Sequence, residues 1–162
     1  MTVALWHNAT LELNRAEYSG SVTVAELMAL ADFQALNPRW LSYDCLNIIL
    51  PGADFDAIPF DALDGVFQKY RTLFEPKQFV IFRRSAWICQ SAAAENHLHH
   101  WVGGRDTREG MSSDLRRCAT VAEACEWLIL GPANTAAAES GQGFDEIVRY
   151  TLPPKTLLAA AS

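Results

Sequence analysis

The chain has 162 residues, half of them hydrophobic, with 13 Lys and Arg against 19 Asp and Glu and a formal net charge of −6. That length suffices for one domain with a sizeable core, and an acidic chain without a basic stripe is not built for nucleic acid or an anionic membrane, both of which need clustered Lys and Arg. No apolar run approaches the roughly 20 residues of a membrane helix, residues 1–10 lack the pattern of a signal peptide, and four dispersed cysteines without a Cys-x-x-Cys pair read as reduced core thiols of a cytoplasmic protein.

In chain order, Val3–His7 and Thr10–Leu13 read as short strands joined by Asn8–Ala9, and Tyr18–Gly20 reads as a break. Thr23 and Glu26 have the spacing of a capping box, in which hydroxyl and carboxylate each bond the other residue's N–H. Leu27, Leu30, Ala31 and Gln34 continue that helix until Asn37–Pro38, since a residue before proline avoids helical dihedrals. Tyr43–Leu50 is the strongest strand, nearly all apolar as a strand covered on both faces must be, interrupted by Asp44 and Asn47 and stopped by Pro51–Gly52. Phe60–Leu73 has Leu63, Val66, Phe67, Tyr70 and Phe74 at helical spacing.

Residues 78–104 carry two of the five tryptophans and three of the four histidines. Phe79–Phe82 is ambiguous between strand and apolar loop. Ser85–Gln90 reads as a buried strand, and Ser91 as the N-cap of a helix ending at Gly103–Gly104. After a polar loop, Leu115–Ala119 reads as a last strand, and Thr120 and Glu123 form a second capping box opening a helix to Leu128 or Leu130. From Ala133 the composition shifts to Ala, Gly, Ser and Pro, and Phe144–Leu152 is a strand or a docking arm. The order β-β-α-β-α-β-α-β-α predicts an α/β fold, with a central mixed sheet of four to five strands flanked by about four helices. That domain spans residues 1–130, and a partly disordered C-terminal extension spans 131–162.

Three stretches carry a resemblance. Gly20–Leu27 enters the first helix through Val-Thr and an acidic-Leu pair. Tyr43–Leu50 is followed by Gly52 and a loop to the second helix. Leu115–Leu128 closes on Glu123, Ala124, Trp127 and Leu128. Over roughly Leu5 to Leu130 the chain resembles the STAS-like family of small bacterial proteins related to anti-sigma-factor antagonists. The resemblance implies a binding role in bacterial signalling, not catalysis. In signalling members of that family a serine just after the central strand is phosphorylated. Leu50–Phe55 contains neither Ser nor Thr, so no such site is carried over.

Open α/β sheets bind ligands beyond the C-terminal ends of their strands, which draws attention to Asp54, Phe55 and Asp56. Trp40 beside Arg39 has the composition of an interface anchor. These four residues are the expected binding site of a non-enzymatic module with a protein partner. No cofactor or metal is assigned, and pairing of residues 144–152 across a homodimer is left open. Asp54, Asp56, Asp61 and Asp64 otherwise read as loop and cap acids. His97, His99 and His100 do not have metal-site spacing, although neighbouring histidines suit pH sensing. Two alternatives remain. One is a small apolar or amphipathic ligand held between sheet and helix. The other is an enzyme using Cys89, before a helix N-terminus, with His97 or His100.

Overall fold

The computed structural model describes residues 2–77, 83–103 and 113–151. Strand β1 (Thr2–Asn8) turns back into β2 (Leu13–Ser19), its antiparallel neighbour. The turn is longer than the two-residue link expected at Asn8–Ala9. The Asn8 carboxamide oxygen accepts from the backbone N–H groups of Thr10 and Leu11, both at 3.0 Å. That side-chain turn holds residues 9–12 out of the ladder, so the second strand starts at Leu13 and runs through Tyr18.

From β2 the chain repeats one move three times. Helix α1 (Val24–Leu36) leads to β3 (Asp44–Ile49), α2 (Phe60–Phe74) to β4 (Arg83–Cys89), and α3 (Glu95–Val102) toward β5 (Ser113–Cys118). Each new strand is parallel to the last and lies beside it. Such crossovers are almost always right-handed, so three steps in one direction place all three helices on one face. Short 3-10 turns at Pro38–Leu41, Glu75–Lys77 and Ala92–Ala94 adjust the ends. The chain then passes over the other face as α4 (Val121–Trp127) and α5 (Pro132–Ser140), and returns as β6 (Asp145–Thr151), antiparallel to β1. The six strands lie in the order β5-β4-β3-β2-β1-β6.

Alternation along the strands divides the core in two. Leu46 and Ile48 of β3, with Ala86 and Ile88 of β4, pack under Val121, Ala124 and Ala138 of α4 and α5. Cys45 and Ile49 face the other way, with Tyr18, toward Leu30, Val66 and Leu98 of α1, α2 and α3.

The sheet has six strands where four to five were expected, because residues 145–151 complete it. That segment pairs with β1 of its own chain, from Thr2↔Thr151 to His7↔Asp145, as the edge strand beyond β1, so the sheet takes in residues past 130. Helix α5 also lies in the stretch read as an extension. Its alanine-rich sequence has little amphipathic pattern to reveal it. The structure gives it Pro132 in the first turn, Gly141 at its left-handed C-cap (φ 79°), and Arg15 of β2, which donates to the carbonyls of Ala138 and Glu139. Residues 78–82 and 152–162 lie outside the described residues, and so does most of the predicted polar loop. Among the described residues no helix is long and apolar enough to cross a membrane.

The caps differ in kind. Thr120 accepts from the N–H of Glu123 at 3.1 Å, and Glu123 accepts from the N–H of Ala119 at 3.0 Å, so the second box forms with its return bond displaced by one residue. At α1, Thr23 is the N-cap but its hydroxyl makes no cap bond, and both oxygens of buried Glu26 are without a hydrogen-bond partner among the described residues. Burial pushes the Glu26 carboxyl above its usual range, partly offset by its contacts with Thr23. Ser91 spends its hydroxyl elsewhere, donating to the Ala53 carbonyl at 2.5 Å and tying the β4–α3 link to the β3–α2 loop. Gly103 ends α3 in extended backbone, not left-handed as expected. A Cβ there would lie 2.8 Å from the His99 carbonyl oxygen.

Helix α4 ends under strain. Leu130 N–H bonds the Cys125 carbonyl at 2.9 Å and Ile129 N–H the Glu126 carbonyl at 3.1 Å, which forces Ile129 to φ 61° with its side chain 80% exposed. Glycine is the usual residue there, and a left-handed L-residue costs roughly 1–2 kcal/mol. Ile129→Gly removes that cost and gives back part of the gain as unfolded-chain entropy, for a net stabilisation of about 1 kcal/mol. The melting temperature is expected to rise by about 2–4 °C in a thermal unfolding scan. A fall would mean that the Ile129 side chain contributes packing that its exposure hides.

Candidate functional site

The loop after β3 is pinned at Asp54. Its N–H donates to the Gly20 carbonyl at 3.0 Å and its carbonyl accepts from Val22 N–H at 2.9 Å. One carboxylate oxygen accepts from the Ser21 hydroxyl at 2.7 Å and the other from Asp56 N–H at 3.2 Å. Asp54 therefore holds the loop against the β2–α1 link. Asp56 is exposed, whereas Phe55 is turned inward and buried. Trp40 is buried too, not the exposed anchor expected. It packs on His7 (5.0 Å between ring centroids) and Tyr43, its carbonyl accepts from the Asn14 carboxamide, and the Arg39 guanidinium covers its ring at 4.2 Å.

These residues do not converge. Trp40 precedes β3 and Asp54–Asp56 follow it, so the length of the strand, about 20 Å, separates them. The ordinary reason to look beyond the strand ends is also missing. A doubly wound sheet opens a crevice where neighbouring crossovers go to opposite faces. Here β2 to β5 run in unbroken order, and the three crossover helices share one face.

No catalytic pair forms around Cys89. Its thiol donates to the Ser91 carbonyl at 3.0 Å. Burial raises its pKa, Glu95 adds to this, and the Ser91 backbone opposes it. The lowered value that a nucleophile before a helix suggests is not found. His97 Nε2 meets the Ile58 carbonyl at 2.8 Å and His100 Nε2 meets Asp64 at 2.7 Å. Both rings lie against Phe60, while His99 is exposed. Among the described residues, no three His, Cys, Asp or Glu side chains are placed to share a metal ion.

What the structure does form is a partly open cavity between the sheet and α1–α3. It leaves about 80 Å³ in which the centre of a water-sized sphere can sit. One water needs about 10–15 Å³ on that measure, so the space exceeds a single solvent site several-fold. Leu27, Leu30, Leu63 and Val66 supply an apolar roof. The floor is polar. Asn47 donates to the Ser85 hydroxyl at 2.8 Å and the Ala86 carbonyl at 3.2 Å, and its oxygen lies 3.5 Å from the Tyr18 hydroxyl and 3.6 Å from the Cys45 sulfur. Between the helices, Tyr70 donates to Gln34 at 2.7 Å.

The cavity has two unlike ends. Toward the N-terminal ends of β3 and β4 stand Arg83, Ser85, Cys45 and Tyr70. Burial pushes the Cys45 thiol up to about 11 and raises both the Tyr18 and Tyr70 phenols, while the Arg83 cation opposes burial at all three. These groups are therefore neutral near pH 7, and Arg83 is the charge in the wall. Toward the other end stand Phe55, Trp87, His97 and Trp101. Tyr18 stacks on Trp87 at 5.5 Å, and Trp87 meets Trp101 at 6.3 Å. The indole N–H groups of Trp87 and Trp101 and Nδ1 of His97 are buried without a partner among the described residues.

Compared with protein families, with curated proteins and with solved structures, the chain matches none of them.

Of the four residues expected to form the site, only Phe55 reaches the cavity. The polar floor was overlooked, though period two offered a signal. Cys45, Asn47 and Ile49 share one face of β3, and Arg83, Ser85 and Trp87 share the matching face of β4. A polar residue on the inward side of a nearly apolar strand must find hydrogen-bond partners inside the fold, and so marks a polar patch in the interior.

Near neutral pH, Cys89 is expected to react with iodoacetamide at least about ten-fold more slowly than the same thiol in the unfolded chain, because little of it is thiolate and it is half-buried. Peptide mapping after timed labelling reads this directly. Labelling as fast as in the unfolded chain would restore the cysteine-enzyme reading.

Proposed function

We propose that this chain is a non-enzymatic binding module that encloses a small amphipathic molecule between its sheet and helices α1–α3. The observation that carries this reading is the cavity itself, with an apolar roof, a hydrogen-bonded polar floor and a wall of tryptophans. Native interiors are packed closely and rarely leave such a space beside buried polar groups without a use for it. Pockets of this make-up, mostly apolar with a few convergent polar groups, are the usual form of a small-molecule site. Native mass spectrometry of gently purified protein is expected to detect a bound small molecule that denaturation releases. Ala16 is a buried floor residue, and Ala16→Leu adds three carbons to the cavity wall. That variant is expected to keep its far-UV circular dichroism and lose the bound molecule. A wild-type protein that carries nothing, and whose tryptophan fluorescence responds to no small amphiphile, would sink the proposal.

A second reading is the protein-contact module in signalling that STAS-like kinship implies, and we keep that kinship as a proposal. It is favoured by the surface at the start of α2. Phe60 is 46% exposed, stacks on His100 at 4.6 Å, and follows closely on exposed Asp56 of the pinned loop. Asp54→Lys would break the loop's own hydrogen bonds, so the informative variant is Asp56→Lys with Phe60→Ala. It is expected to lose a stoichiometric partner in pull-downs while its melting temperature stays within about 2 °C of wild type. Retention of that partner would remove this surface from consideration.

A further inference from the structure

We infer that the molecule held in the cavity is a short organic monocarboxylate, its anionic head on Arg83 and its apolar body toward the aromatic end. The inference rests on the small-ligand reading above and names the chemistry of that ligand. Arg83 opens β4 and is 8% exposed. Its Nε–H donates to the Ser113 hydroxyl at 3.1 Å, and its guanidinium carbon lies 5.0 Å from the centre of the Phe74 ring. Arg15, Arg84, Arg117 and Arg149 each pair with a carboxylate. Among the described residues no carboxylate forms an ion pair with Arg83, and its one described hydrogen bond is the Nε–H to Ser113. A guanidinium has five N–H donors in a planar fork, and a buried charge without a counter-charge is costly.

The neighbours do not supply the missing charge. Tyr70 gives its hydroxyl to Gln34, Asn47 gives its amide to Ser85 and Ala86, and burial keeps the Tyr18, Cys45 and Tyr70 protons on. A ligand anion does supply it, and a carboxylate fits the fork with two parallel hydrogen bonds. One buried arginine matches a single negative charge. A phosphate dianion would want further cations, and the described lining contains no lysine and no second arginine. Size narrows the class. The space of about 80 Å³ is below the roughly 150 Å³ cavity that takes benzene, which favours a short aliphatic body. That body lies over the Asn47–Ser85 floor and points toward Trp87.

The test compares butyrate with butyramide and butanol on the full chain, after removal of any copurified molecule, by tryptophan fluorescence and thermal shift. Butyrate is expected to bind at least about ten-fold more tightly than butyramide, the margin of a charge-assisted hydrogen-bonded pair. Arg83→Met is expected to remove that preference and weaken butanol far less than butyrate, and Arg83→Lys to recover only part of it. Equal binding of acid and amide overturns the carboxylate inference and leaves the small-ligand reading standing. Tighter binding of inorganic phosphate overturns it in favour of a different anion. Binding of none of these, with no copurified molecule, overturns both readings. If Arg83→Met does not fold, the acid-to-amide ratio on the wild-type protein decides alone.

Discussion

The handedness of three consecutive crossovers decides where everything else in this protein can be. Strands β2 to β5 are laid down in unbroken order, and right-handed connections keep α1, α2 and α3 on one face of the sheet. Three helices on one face leave a space between themselves and the sheet that their side chains must fill or line. The other face is closed by the long return through α4 and α5 to β6. The cavity belongs to the first face, and the well-packed Leu46, Ile48, Ala86 and Ile88 layer belongs to the second.

Polar groups inside the first face are organised as a network, not scattered. Asn47 sits at the centre of the sheet and joins β2, β3 and β4 through Tyr18, Ser85 and the Ala86 carbonyl. Gln34 and Tyr70 join α1 to α2 above it. A satisfied buried network rigidifies its surroundings, and an unsatisfied one is expensive. Here the members are satisfied by one another up to two places. At one end Arg83 has its one described hydrogen bond to Ser113, and at the other the rings of Trp87, Trp101 and His97 have buried nitrogens without a partner among the described residues. Those two places are the chemical reason to regard the cavity as a site instead of a packing fault. The loop that carries Phe55 fits this picture. Asp54 and Ser21 hold it rigid, so the ring that closes the aromatic end is fixed by the backbone.

Much of the fold was legible residue by residue. The α1 and α2 faces, the central strand, the Ser85–Gln90 strand and the Thr120 cap follow from period, propensity and capping. What was missed has local causes. Asn8 turned a tight link into a longer turn through its own side chain. Helix α5, almost all alanine and small polar residues, has no apolar stripe, and it is recognised only when Arg15 of β2 ties down its last carbonyls. Ser91 and Thr23 have the right residue type for caps, yet tertiary neighbours claim or bury their hydroxyls. Asp54 looked like a free acid because its partner Ser21 lies 33 positions away.

The sequence by itself determined the α/β class, the strand and helix periods, and the net negative charge, because these depend on composition and on neighbours a few residues apart. Only the tertiary structure decided that residues 145–151 complete the sheet, that Trp40 and Asp54 stand at opposite ends of β3, and that Arg83, Asn47, Tyr70 and Trp101 line one cavity. The physical reason is distance along the chain. A strand's alternation says which residues share a face, but only strand order and crossover hand say which faces meet.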